Sequence, residues 1–129
     1  MRKVFNSVSK RIGGVTFHKY TLEETVFQLF EIVDQEFSEA HYFACVNAHS
    51  VETARRDSEF AKAVDAADLV TPDGAGIVLA SRILDAGIPG RVCGPDIFPF
   101  LCNELNLRRK GTKMFFLGSD DGNLSVLRE

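Results

Sequence analysis

Apolar positions along the chain fall into short blocks whose spacing switches between the strand period and the helix period. Arg11-Ile-Gly-Gly-Val-Thr-Phe17 reads as a short β-like segment. After it, Thr21-Leu-Glu-Glu24 has the form of a capping box, in which the Thr hydroxyl and the Glu carboxylate each take a free N–H at a helix start. A helix is expected to follow, because Leu22, Val26, Leu29, Phe30 and Val33 recur three or four apart and the pattern runs on to Phe37. Tyr42-Phe-Ala-Cys-Val46 is apolar without interruption, the pattern of a parallel strand covered on both faces. Asn47-Ala-His-Ser50 then opens a helix that turns Val51 and Ala54 inward, and Asp57 caps a further helix carrying Phe60, Ala63 and Val64. Asp68-Leu-Val-Thr71 predicts the next strand, and Gly76 to Leu84 the next helix.

The second half repeats the alternation. Gly87-Ile-Pro-Gly90 is turn chemistry, and Asp96 is placed to cap a helix containing Phe100, Leu101, Leu105 and Leu107 that Gly111 ends. Thr112-Lys-Met-Phe-Phe-Leu117 predicts a third buried strand, Gly118-Ser-Asp-Asp-Gly122 a loop, and Asn123 to Glu129 the beginning of another helix. Strands alternating with helices in this order predict an α/β fold, Rossmann-like, with an open and largely parallel sheet and helices on both faces.

Composition fits a single core. The 129 residues are 45% hydrophobic with eleven Phe, enough for one domain over residues 1–129 and too few for two. Charge narrows the partners, since 15 basic against 18 acidic side chains leave a net −3 and no electrostatic basis for binding nucleic acid. Cys45, Cys93 and Cys102 lie far apart with no paired spacing, so they read as reduced, buried thiols of a cytoplasmic protein and not as zinc ligands or disulfide partners. The N-terminal Met1-Arg-Lys-Val-Phe-Asn-Ser-Val-Ser-Lys-Arg11 has basic residues without the apolar centre of a signal peptide, and no apolar run has the length of a membrane span.

Candidate chemistry lies at the strand ends, where open α/β sheets bind ligands. Three polar or Gly-rich clusters reach that level: Asn47-Ala-His-Ser50, Thr71-Pro-Asp-Gly-Ala-Gly76 and Gly118-Ser-Asp-Asp-Gly122. Asp73 reads either as the cap of the following helix, with Gly74 and Gly76 serving backbone turns, or as an acidic group at the rim of a pocket. Asn47 reads as a cap or as a hydrogen-bonding partner for a ligand hydroxyl. His49 reads as a general acid or as part of a helix start. The loop from Gly118 and Ser119 reads as an ordinary turn or as a diphosphate cradle, and its glycine spacing does not match a dinucleotide-binding fingerprint. Arg82, Arg91, Arg108 and Arg109 read as solvated cations, one of which a sugar-nucleotide site would use. Cys93 and Cys102 read as thiols without the basic surroundings that would activate a nucleophile.

Taken in order, Asn47 after one strand, Thr71-Pro-Asp-Gly-Ala-Gly76 after the next, Arg91-Val-Cys-Gly-Pro-Asp96 at a helix head, and Phe115-Phe-Leu-Gly-Ser119 after a third strand resemble the WecG/TagA/CpsF glycosyltransferases. The resemblance covers the chain from about Arg11 onward. It implies transfer of an N-acetylmannosamine-type or related sugar from a UDP donor to a polyprenyl-diphosphate-linked sugar, in surface polysaccharide or teichoic acid synthesis, with no metal or other cofactor. It implies Asp73 as the general base, at a helix start that favours negative charge. It further implies Asn47, Gly74, Gly76, Gly94 and Asp96 as substrate-binding positions, with Gly118 and Ser119 near the nucleotide diphosphate. Cys45 stands where many members have a threonine, and a thiol is a weaker hydrogen-bonding group. Members extend well past the Leu-Gly-Ser strand, so the chain is expected to lack C-terminal strands and helices, and to complete its sheet with a partner or as a homo-oligomer. The resemblance also implies a cytoplasmic location with peripheral contact at the inner face of the membrane. The alternative is a non-catalytic α/β module that binds a nucleotide or a protein partner.

Overall fold

The structure, a computed structural model, describes residues 8–35, 39–108 and 111–126. Its elements follow the alternating order, with one change at the start. Where one β segment is expected, two strands, β1 (Ser9–Ile12) and β2 (Val15–His18), form an antiparallel hairpin. The turn is Gly13-Gly14, both at positive φ (59° and 91°), and a two-residue turn of that conformation matches the twist of the flanking strands.

Helix α1 (Leu22–Asp34) begins at the expected capping box: Thr21 Oγ1 accepts from the Glu24 N–H at 3.2 Å, and Glu24 Oε2 accepts from the Thr21 N–H at 2.8 Å. Val26, Leu29 and Phe30 are buried as its stripe predicts, and the expected extension to Phe37 lies outside the described residues. Strand β3 (Phe43–Val46) leads into α2 (Ala48–Arg56) through Asn47, and Asp57 caps α3 (Ser58–Ala66) by accepting from the N–H groups of Glu59 and Phe60. Strand β4 (Leu69–Pro72), α4 (Ala75–Ile83), α5 (Gly94–Arg108) and the short α6 (Asp121–Val126) complete the order. Asp96 does not cap α5 as expected. That helix already starts at Gly94, and Asp96 lies inside its first turn.

The fold is α/β, and β3 and β4 pair in parallel with Cys45 opposite Thr71 and Val46 opposite Pro72. Alternation along the two strands divides the core. Val46 and Val70 face a cluster with Ile12, Val15, Phe17, Val64 and Ile77, against the hairpin, α2, α3 and α4. Leu69 and Cys45 face the other side, where Val26 and Leu29 of α1 meet Ile97 of α5 and Val92. Helices therefore cover both faces. The edge of β4 away from β3 is closed without a strand: the Val70 N–H donates to His18 Nδ1 at 2.9 Å, and the Val92 N–H donates to the Pro72 carbonyl at 2.8 Å. Pro72 has no N–H, so this edge leaves no donor unpaired at that position.

The third buried strand expected at Thr112–Leu117 is not formed. The segment has no strand pairing, and Phe115 and Leu117 are 88% and 92% exposed. An apolar run becomes a buried strand only where a neighbour takes its backbone hydrogen bonds, and among the described residues β3 and β4 pair only with each other. Within the segment the Phe116 ring meets Phe98 of α5 in an edge-to-face arrangement at 5.8 Å.

Candidate functional site

Because β3 and β4 run the same way, both chains leave the sheet at one end, and a third segment joins them there. Asp73, directly after β4, donates its N–H to the Val46 carbonyl at 3.0 Å, which ties the turn after β4 to the end of β3. Val92 returns to Pro72 through its own N–H, and two residues later Gly94 opens α5. Three helices thus begin around this end of the pair: α2 after Asn47, α4 after Gly74 and α5 at Gly94. Their starts are close. A Cβ on Gly76 would lie 3.4 Å from the Ala48 Cβ, one on Gly74 would lie 3.9 Å from the Asn47 Cβ, and one on Gly94 would lie 3.9 Å from Cys45 Sγ. Helix N-termini carry unpaired N–H groups and the positive ends of their dipoles, so the arrangement suits an anionic group.

Asp73 resolves the choice that the sequence leaves open about capping. The N-cap of α4 is Gly74, which has φ 87° and ψ 156°, a conformation essentially confined to glycine, and the cap has no side-chain hydrogen bond. Among the described residues the half-buried Asp73 carboxylate makes no hydrogen bond or ion pair. It is held by its backbone, and its charge acts on the neighbouring Cys45 thiol.

Asn47 does cap α2: its Oδ1 accepts from the Ser50 N–H at 2.9 Å and from the Ser50 hydroxyl at 3.1 Å. That occupies the amide oxygen and leaves its nitrogen as the group able to meet a ligand. Cys45 lies below, beside Thr71 and Gly94. Burial pushes its thiol above the ordinary value and the Asp73 charge adds to the rise, while the Thr71 hydroxyl and the Gly94 backbone oppose it. Thr71 Oγ1 lies near enough to the thiol to have that effect, yet it is buried without a hydrogen bond of normal geometry.

Asp96 has two partners. Its Oδ2 accepts from the Cys93 thiol at 3.0 Å and from the Arg91 guanidinium at 3.1 Å. The hydrogen bond to Asp96 is the main cause of a raised Cys93 pKa, with burial next and the Arg91 charge opposing, so the site favours the protonated thiol. Sequence reasoning names Asp96 but misses its bond to Arg91, and misses Thr71 as the cross-strand neighbour of Cys45. The strand alternation that puts Thr71 on the face of Leu69 carries the second signal.

Two expected groups are exposed and, among the described residues, make no hydrogen bond with the side chains gathered here. His49 is exposed on the first turn of α2, and no hydrogen bond or ion pair among the described residues joins it to Asp73. Gly118 and Ser119 form an exposed turn at positive φ (123° and 65°), where Ser119 Oγ accepts from Asn123 Nδ2 at the start of α6. Among the described residues no three His, Cys, Asp or Glu side chains gather in a metal-holding group. Of the arginines singled out in the sequence, Arg108 pairs with Glu104 and lies over the Phe30 ring, Arg91 pairs with Asp96, and Arg82 is exposed without an ion pair among the described residues. Arg109 lies outside the described residues.

Fold and site together define an α/β protein whose candidate ligand site lies beyond the carboxyl ends of a parallel pair, between helix starts. The sequence model described as "Glycosyl transferase WecG/TagA/CpsF family" matches residues 10–129, and the chain belongs to that family. Two curated relatives carry the name N-acetylglucosaminyldiphosphoundecaprenol N-acetyl-beta-D-mannosaminyltransferase. The one from Bacillus spizizenii is 27% identical over 66 residues, covering 51% of this chain and 25% of the relative. The one from Bacillus subtilis is 25% identical over 92 residues, covering 65% of this chain and 35% of the relative. The chain thus aligns with about a quarter to a third of the length of these relatives.

Proposed function

We propose that this chain forms the acceptor-activating part of an inverting glycosyltransferase that moves an N-acetylmannosamine-type sugar from a UDP donor to a polyprenyl-diphosphate-linked sugar. One observation carries the reading: the turn after β4, where three helices start, holds the Asp73 carboxylate, which makes no hydrogen bond or ion pair among the described residues. In the proposed reaction that carboxylate takes the proton of an acceptor hydroxyl. The freed oxygen attacks the anomeric carbon, the carbon–oxygen bond to UDP breaks, and UDP leaves with the bonding pair. A single displacement inverts the anomeric centre. The Asn47 amide nitrogen, the backbone at Gly74 and Gly76, and Gly94 and Asp96 would orient the sugars, and the helix starts would stabilise charge developing on the diphosphate. Gly118 and Ser119 are assigned to the nucleotide, in a cytoplasmic protein acting at the inner face of the membrane. The printed names of the two relatives support the acceptor class.

A non-catalytic, partner-binding module is the second reading, favoured by the exposed Met114–Leu117 run. Thermal unfolding separates the two readings. Selective binding of UDP to the folded state raises the melting midpoint by mass action, and ADP and NAD serve as controls. A rise with UDP alone supports the donor site, and no rise with any of the three supports the binding module.

A further inference from the structure

Helix α4 is apolar nearly all round, Ala75-Gly-Ile-Val-Leu-Ala-Ser-Arg-Ile83, yet the fold covers only one side of it. Ile77 and Ser81 are buried, whereas Leu79, Ile83 and the following Leu84 are 58%, 74% and 59% exposed. A soluble helix ordinarily turns polar residues outward, so a bare apolar face of this kind marks a contact. The face borders a groove of about 560 Å³ between α4 and the Gly90–Arg91 turn, lined by Ala75, Gly76, Val78, Leu79, Arg82 and Arg91 among others. One end of the groove is Ala75 and Gly76, two and three residues after Asp73. Its polar groups are of one kind. Arg82 and Arg91 are both exposed, Arg91 shares its charge with Asp96 at 3.1 Å, and Arg82 has no ion pair among the described residues.

A ligand matched to this lining has an apolar chain and an anionic head. Hydrocarbon in water favours the apolar wall, and a phosphate favours paired guanidinium groups, of which Arg82 is unneutralised. From this complementarity we infer that the α4 groove holds the isoprenoid diphosphate portion of the acceptor, with the apolar chain along Val78 and Leu79 and the diphosphate between Arg82 and Arg91. The inference rests on the reading of the acceptor given above and adds the place where its lipid lies. The groove lining includes Ala75 and Gly76, directly after the turn that carries Asp73, and Arg91, one residue before the Val92 N–H that bonds the Pro72 carbonyl, so a diphosphate held by Arg91 lies on the Asp73 side of the groove.

Farnesyl diphosphate, kept below its micelle-forming concentration, serves as a soluble probe, with farnesol and inorganic pyrophosphate as its separated halves. Calorimetric titration is expected to show the intact probe binding at least tenfold more tightly than either half. Leu79→Glu and Arg82→Glu alter exposed side chains and are each expected to weaken the probe at least tenfold. Stabilisation by UDP, read in the same variants, reports on the fold and the donor site separately. If the probe binds and UDP does not, the donor reading falls and the lipid groove stands. Equal binding to Leu79→Glu and the unaltered chain overturns the groove, as does no binding of the probe at all. A dimer that Leu79→Glu splits into monomers in sedimentation, with no effect of the probe, overturns it too and assigns the face to a second copy of the chain.

Discussion

At the scale of single residues, Asp73 and Cys45 are coupled through charge, and that coupling is measurable without any substrate. The Asp73 charge helps to hold the Cys45 thiol protonated, after burial, so Asp73→Asn lowers the thiol pKa. Because the thiolate is the reacting form, Cys45 alkylation at mildly alkaline pH is expected to be faster in Asp73→Asn, read by mass spectrometry on the peptide that contains it. An unchanged rate would separate the two groups. The raised pKa also has a stability sign. A thiol whose folded value exceeds its unfolded value contributes stability that is fully present below the unfolded value and is lost as pH rises through the folded one. The melting midpoint is therefore expected to fall more steeply above about pH 9 in the unaltered chain than in Cys45→Ala. Little of this was legible beforehand. The sequence leaves Asp73 open between cap and rim because the choice depends on the backbone of Gly74, whose φ of 87° lets the glycine end the turn and start α4 without help from the carboxylate.

Elements differ in how far local chemistry specifies them. The capping box at Thr21 and Glu24 and the caps at Asn47 and Asp57 are complete within three residues, so reading them needs no knowledge of the rest of the fold. Thr21→Ala is expected to cost about 1 kcal/mol, seen as a lower urea midpoint with unchanged slope. The hairpin is harder to see, because Gly13-Gly14 reads equally as part of a strand until Ser9 to Ile12 are known to turn back onto Val15 to His18. His18 as an edge partner is not legible at all, since it reaches a backbone N–H 52 residues away. His18→Leu leaves the buried Val70 N–H without its acceptor and is expected to cost about 1–3 kcal/mol in chemical denaturation. His18→Gln, which keeps an acceptor, is expected to recover part of that loss, and equal losses in both would show that packing rather than the hydrogen bond is at stake.

For the whole molecule, alternating apolar runs state the fold class, and the parallel pair with helices on both faces follows from it. Apolar length alone does not say which strand has a neighbour, and for that reason Thr112–Leu117 reads as buried while Phe115 and Leu117 stand in solvent. The candidate site is legible as a level of the fold, the carboxyl ends of the strands, and Asn47, Asp73, Gly74, Gly76, Gly94 and Cys45 do gather there. His49, on the exposed first turn of α2, and Gly118 and Ser119, on an exposed loop, make no hydrogen bond with them among the described residues. Catalysis by the assembled group is tested most directly by transfer of a radiolabelled N-acetylmannosamine from its UDP donor to a polyprenyl-diphosphate-linked N-acetylglucosamine, comparing the unaltered chain with Asp73→Asn at equal folded concentration. Loss of a positioned general base is expected to lower the rate about 10²–10⁴-fold while the melting midpoint stays unchanged. Transfer at the same rate in both proteins would contradict a catalytic Asp73 and remove the site from the reaction.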